Sequence, residues 1–97
     1  MKLRWSRRAL LDLQRLASRI EAHDKPLAAQ AFVDAIFVDA IREKVGRLEA
    51  FPLLGRQGRL QDTRELIVQR HYFVSYRLRA DEVQLLQIWH VARERRG

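Results

Sequence analysis

Apolar positions along the chain change their period twice, and these changes divide it into elements. Leu3 and Trp5 alternate with Lys2 and Arg4, the two-residue period of a short strand. From Arg7 to about Ala22 the period lengthens. Leu10, Leu13, Leu16, Ala17 and Ile20 recur at helical spacing, while Arg7, Arg8, Asp12, Arg15 and Arg19 fall mostly on the other face. Ser6 stands at the N-cap, where a hydroxyl can accept a bond from an early helical N–H. His23-Asp24-Lys25-Pro26 interrupts the pattern, and Pro26 suits the first position of a second helix, where a missing N–H costs nothing. That helix is expected from about Leu27 to Glu49. It stops at Phe51-Pro52, because a residue before proline is pushed towards extended geometry. Two helices joined by a short turn predict an antiparallel helical hairpin.

Within the second helix, Phe32-Val33-Asp34-Ala35-Ile36 is followed at once by Phe37-Val38-Asp39-Ala40-Ile41, the same five residues. Five residues rotate a helix by about 500°, so the two copies face directions about 140° apart. The segment is then apolar nearly all round, with only Asp34 and Asp39 polar, and such a helix needs cover on more than one side. Three readings stay open: an accidental or engineered duplication without consequence, a helix bulge, or a second copy that meets another chain in a homodimer through residues 32–41.

After Pro52 the texture changes. Leu53-Leu54-Gly55-Arg56-Gln57-Gly58-Arg59 reads as a loop, and three strand-like runs follow. The first is short, Glu65 to Val68. The second, Tyr72 to Leu78, alternates, with Tyr72, Val74, Tyr76 and Leu78 on one face and Phe73, Ser75 and Arg77 on the other. Arg79-Ala80-Asp81-Glu82 is a tight turn into a third run, Val83 to Trp89, apolar enough to be central. The short connections predict an antiparallel meander. The expected fold class is therefore α+β: one domain over residues 1–97, with an N-terminal antiparallel helical hairpin packed on a small antiparallel β-sheet.

Composition sharpens this picture through charge. Lys and Arg number 19 against 12 Asp and Glu, for a net charge of +7, and sixteen of the cations are arginine. Between Gly55 and Gly97 there are nine arginines and five acidic residues, so positive charge gathers in the half expected to form strands and tail. A GC-rich coding sequence accounts for much of the arginine bias. The placement favours a polyanionic target or an acidic partner, which a guanidinium fork engages well. There is no cysteine, so no disulfide or thiolate metal site is expected. No His, Asp and Glu cluster has ligand spacing, and no glycine-rich phosphate loop precedes a helix. No cofactor or metal is expected. No apolar run approaches the roughly 20 residues that span a bilayer, so the expected location is cytoplasmic, away from membranes.

The order of elements, taken with particular residues, resembles the RelE/ParE superfamily of toxins from type II toxin–antitoxin systems. The residues that carry the resemblance are Trp5-Ser6 with Ala9, Asp12 and Leu13; Phe51-Pro52-x-x-Gly55-Arg56-x-Gly58; Thr63-Arg64-Glu65-Leu66; Tyr72-x-x-x-Tyr76-Arg77; and Val83-x-x-Leu86-x-Ile88-x-His90-x-x-Arg93. Each is common alone, and the ordered set is specific. The resemblance implies a toxin neutralised by a cognate antitoxin, whose C-terminal segment wraps it. RelE-like members cut messenger RNA in the ribosome. ParE-like members inhibit DNA gyrase without catalytic residues of their own.

The residues lean towards the ParE-like branch. RNA cleavage without a metal needs a base for the 2′-OH, a cation for the developing phosphate charge and an acid for the leaving oxygen. Arg64 and Arg93 match basic positions of RelE-like toxins. A second basic strand position is Leu66 here, the arginine expected after the first tyrosine of the pair is Phe73, and no tyrosine follows Tyr76. No catalytic residue is therefore assigned; the alternative, a ribosome-dependent mRNA endoribonuclease, would use Arg64, His90 and Arg93. The expected target-binding residues are Arg56, Arg59, Arg64, Arg77, Arg93, Arg95 and Arg96. The expected partners are an acidic antitoxin and DNA gyrase, or, in the alternative, the ribosome and mRNA. His90 is read first as a hydrogen-bonded strand-end residue. Trp5, Trp89, Tyr72, Phe73 and Tyr76 are read as packing residues rather than base-stacking platforms.

Overall fold

The computed structural model describes residues 1–23, 38–69 and 72–90. The first strand, β1, is Lys2–Trp5, and helix α1 is Arg7–His23. The described part of a second helix, α2, spans 38–46 and tightens into a 3₁₀ turn at Arg47–Glu49. Strands β2 (Arg56–Gln57), β3 (Arg64–Gln69), β4 (Tyr72–Arg79) and β5 (Glu82–His90) follow. They form one five-stranded sheet in the order β1-β5-β4-β3-β2.

The sheet is mixed rather than wholly antiparallel. β2 to β5 are antiparallel to their neighbours, but β1 pairs with β5 in parallel, with Leu3 opposite Val83 and Trp5 opposite Leu85. A parallel pair requires a long crossover, and everything between Trp5 and Glu82 provides it. β5 is accordingly interior, with β4 at the centre. Arg56 and Gln57, expected in a loop, form a two-residue strand against Glu65 and Arg64. The turn of the helical hairpin, and with it the first Phe-Val-Asp-Ala-Ile copy, lies outside the described residues. Of the second copy, Ile41 is fully buried, Val38 packs against the core and Asp39 is exposed.

Ser6 caps α1 as its sequence position predicts, accepting the Ala9 N–H at 3.0 Å. The buried stripe of the helix is Ala9, Leu13 and Leu16, spaced four and three apart. Leu10, expected on that stripe, is 42% exposed, because it sits one helical step round from Ala9. Opposite the stripe, the sheet contributes Leu66, Val68, Val74, Tyr76, Val83, Leu85 and Ile88, and Ile41, Val45 and Leu48 close the core from the α2 side.

Strict alternation along β5 would put Val83, Leu85, Gln87 and Trp89 on one face. A bulge corrects this. Ser75 lies opposite Gln87 while Tyr76 lies opposite Leu85, so Leu86 is the extra residue. Ile88 thereby joins the core and Trp89 turns to the outer face, away from the helices. There it stacks on Phe73, with ring centroids 6.1 Å apart and planes within 5°.

Candidate functional site

β1 ends at Trp5, so β5 continues past Leu85 without a strand beside it on that edge. Residues of α1 and its cap meet the exposed groups instead. The Ser6 N–H donates to Leu85 O at 3.0 Å, the Ser6 hydroxyl donates to Leu86 O at 3.0 Å, and Asp12 Oδ2 accepts the Ile88 N–H at 3.0 Å. The other oxygen of Asp12 accepts from Arg8 Nε at 2.9 Å. An unpaired strand edge invites further pairing, and here side chains occupy it. Asp12, assigned to the polar face by its pattern, is therefore a tether between helix and sheet.

A second joint holds the Phe51–Arg56 loop. Tyr76, fully buried on the central strand, donates its hydroxyl proton to Pro52 O at 2.8 Å and accepts the Gly55 N–H at 2.8 Å. Arg64 adds a bond from Nη1 to Gly55 O at 2.7 Å. A Cβ on Gly55 would lie 2.7 Å from the Tyr76 ring and 2.8 Å from both the Tyr76 hydroxyl oxygen and the Glu65 carbonyl oxygen, so only glycine fits. Burial raises the Tyr76 pKa above its ordinary 10.0, and the Gly55 N–H and the nearby Arg64 charge oppose that shift.

The outer face carries most of the described arginines that were expected to bind a target. Arg56 reaches the buried carboxylate of Glu65 at 3.4 Å, and Arg59 donates its backbone N–H to the other oxygen at 3.4 Å. Arg77 Nε donates to Gln84 Oε1 at 2.7 Å, and Gln84 Nε2 donates to Glu82 Oε1 at 2.9 Å. The Gln84 donor is the main reason that the Glu82 pKa lies below its ordinary value; its partial desolvation pulls the other way, and Arg4, 3.5 Å away, and Lys2 add to the lowering. Between these groups, Trp89 Nε1 donates to Ser75 Oγ at 3.1 Å. A cavity of about 330 Å³ opens over the Phe73–Trp89 stack, with Leu60 and Arg59 on its wall.

The sequence-expected site residues thus form groups rather than one cluster. Arg56 and Arg59 gather at Glu65. Arg64 points to the helix side of the sheet, yet lines with Arg77 a second, open basin of about 760 Å³ that also includes Arg79. Arg93, Arg95 and Arg96 lie outside the described residues. His90 meets the Tyr72 ring edge-on at a centroid distance of 4.9 Å. His90 pairs with Tyr72 and Arg64 with Tyr76, four residues apart along β4, or about 13 Å at strand spacing, so these two are not brought to one reacting atom. Arg4 is a cation of this surface to which the sequence assigned no role, and Arg79, one of the arginines of the basic C-terminal half, lies there too. Alternation along β1 and β4 places Arg4 beside Gln84 and Arg79 beside Glu82, which was the available signal. Among the described residues, no group of His, Asp and Glu is arranged to hold a metal ion, and no helix is long and apolar enough to cross a membrane.

A mixed sheet backed by helices, with cations spread over its outer face and rim, defines a small basic α+β protein. A family model described as the ParE toxin of type II toxin–antitoxin system, parDE, matches residues 3–95. The chain belongs to this ParE toxin family. It is 34% identical over 90 residues to Y4kP of Sinorhizobium fredii, a protein named as a candidate toxin, with 92% of this chain and 86% of that one covered. A solved structure titled as the chromosomal ParDE TA system from P. aeruginosa superposes with a TM-score of 0.79 at 26% identity, covering 94% of this chain and 96% of that one.

Proposed function

We propose that this ParE-type toxin arrests growth by binding DNA gyrase, without chemistry of its own, and that a cognate antitoxin with an acidic binding segment neutralises it in the cytoplasm. The observation that carries the reading is the fate of the positions where a RelE-like nuclease would hold phosphate. Leu66 is buried in the core, Phe73 is buried under the Trp89 ring, and Arg64 commits a guanidinium nitrogen to Gly55 O. A cationic, dispersed outer face fits macromolecular contact better than proton transfer, which needs groups within hydrogen-bond reach of one atom. The net charge of +7 favours an acidic partner, through attraction that speeds encounter and fixes orientation.

The test compares two assays on the purified protein. Supercoiling by purified gyrase is followed on topoisomer gels, and translated messages are mapped by primer extension. The reading expects supercoiling to be blocked and the messages to stay intact. Codon-specific cuts that vanish in Arg93→Ala, with gyrase unaffected, would establish the ribonuclease alternative.

A further inference from the structure

We propose that the cavity over the Phe73–Trp89 stack binds a small planar aromatic carboxylate of one or two rings, a ligand that is part of neither the target nor the antitoxin. The cavity holds about 330 Å³. That is the small end of ligand pockets, roughly 300–1,000 Å³, and it suits one flat ring system. Its floor exists because the Leu86 bulge turns Trp89 to the outer face beside Phe73. The floor is fixed: Trp89 Nε1 donates to Ser75 Oγ at 3.1 Å, and Ser75 Oγ donates to Gln87 O at 3.4 Å. One wall comes from the turn between Gly58 and Thr63, which closes on itself. The Gly58 N–H donates to Thr63 O at 2.8 Å, and the Thr63 N–H and hydroxyl both donate to Leu60 O, at 3.2 and 2.6 Å. A seat whose floor and wall are held in advance needs little ordering when a ligand enters.

Two polar groups of the lining have bonding capacity to offer. The Gln87 side-chain amide, half-buried, forms no hydrogen bond among the described residues, and a group so placed calls for a partner. Arg59 gives its backbone N–H to Glu65, while its guanidinium, on an exposed residue, makes no hydrogen bond or ion pair among the described residues. Leu60, Leu86 and the two rings make the rest of the lining mostly apolar. A flat ring lying offset on Trp89 covers that surface and meets an aromatic face. A carboxylate on the ring then reaches the mouth, where the Arg59 fork can hold it and the Gln87 amide can donate to it. Glu65 is also in the lining, but Arg56 and the Arg59 N–H engage its two oxygens and offset its charge. An aryl ammonium ion would instead face the guanidinium and a chain of net charge +7. A phosphate monoester would give up more hydration than an apolar lining returns.

The experiment titrates the isotope-labelled full chain with four probes: naphthalene-2-carboxylate, its neutral carboxamide, 2-naphthylmethylamine and the saturated decalin-2-carboxylate. The aromatic acid should shift the Trp89 indole N–H, the Gln87 side-chain amide and the Thr63 amide. It should half-saturate near about 1 mM, the affinity expected of about a dozen heavy atoms. The carboxamide should bind about tenfold more weakly, the decalin acid about threefold to tenfold more weakly, and the amine should shift none of these signals. Arg59→Gln should weaken the aromatic acid about tenfold, the scale of one charged hydrogen-bonded contact. Gln87→Glu, nearly the same shape with a repelling charge, should weaken it at least as much; if that variant does not fold, Arg59→Gln, at an exposed position, decides. The proposal is overturned if no saturation is reached by about 10 mM, or if the acid shifts a different surface. It is equally overturned if the carboxamide, the amine or the decalin acid binds as tightly, or if the folded variants keep the original affinity.

Discussion

Removing one oxygen atom, in Tyr76→Phe, tests how the loop before β2 is held. The hydroxyl serves two backbone groups at once, one half-buried and one buried, donating to Pro52 O and accepting from Gly55 N, both at 2.8 Å. The phenylalanine ring fills the same space, so no cavity term enters. The cost is that of two backbone groups left without a partner, about 1–3 kcal/mol for each that stays dry. Gly55 is buried and Pro52 half-buried, so the first should approach the upper part of that range and the second the lower. The sum is about 3 kcal/mol, a large fraction of the roughly 5–15 kcal/mol that holds a domain together. At about 4–8 °C per kcal/mol for a chain of this size, the melting temperature should drop by about 12–24 °C. Urea unfolding followed by tryptophan fluorescence should show a lower midpoint at unchanged slope, because the surface exposed on unfolding is nearly the same. A loss below about 0.5 kcal/mol would refute the reasoning, since it would mean that water or loop movement replaces both bonds freely.

The same hydroxyl predicts a pH signature. Its pKa in the folded chain is raised above 10.0 by burial, whereas the unfolded chain ionises at the ordinary value. Between those two values the folded state holds the proton and the unfolded state has released it, so stability falls as pH rises. The contribution is complete below pH 10.0 and is lost as pH climbs through the folded value. Tyr76→Phe should flatten this alkaline decline. An identical decline in both proteins would assign it to other groups.

Three further perturbations follow from the structure. Asp12→Ala frees the Ile88 N–H and the Arg8 guanidinium and should cost about 2 kcal/mol by urea unfolding, with amide exchange at Ile88 speeding before that of Val74. Ala80→Asn should stabilise by about 0.5–1 kcal/mol, because Ala80 and Asp81 have φ of 52° and 61° in the β4–β5 turn, where asparagine is at ease and alanine is not; an unchanged melting temperature would contradict the strain. Ser6→Ala removes the cap of α1 together with the bond to Leu86 O, and should cost about 1–2 kcal/mol in the same assay.

Much of the fold was legible because one physical rule dominates each visible element. Leu13 and Leu16 recur at the helical period, Val74 and Tyr76 alternate, and Pro52 ends what precedes it. What was hidden depends on partners far away in sequence. β1 finds β5 only through the sheet, so nothing in Lys2–Trp5 marks its pairing as parallel. β2 is two residues long, below what alternation can reveal. The Leu86 bulge shifts the facing of Ile88 and Trp89 by one residue, and the run of apolar side chains there reads the same with or without it. Arg64 shows the limit at the site. It shares the parity of Leu66 and Val68, so its inward direction could have been inferred, but the carbonyl that receives it belongs to a loop nine residues away.

The residues that carry the family resemblance are, where described, mostly committed to internal joints. Ser6 and Asp12 close the edge of β5, while Pro52, Gly55, Arg64 and Tyr76 lock one loop. A motif built from such joints specifies the sheet and helices and says little about the target. On the proposed reading, discrimination falls to cations outside these joints, and Arg77 and Arg79 are such a pair on the central strand. Their replacement should separate folding from activity. Arg77→Gln with Arg79→Gln touches no core contact and gives up only the Arg77–Gln84 bond, so the loss should stay near about 1 kcal/mol, or about 4–8 °C in melting temperature. Growth arrest on induction in a host lacking the antitoxin should nevertheless be lost or strongly delayed. Arrest at the original rate by a normally folded double variant would move the target contact off β4, to another part of the cationic surface.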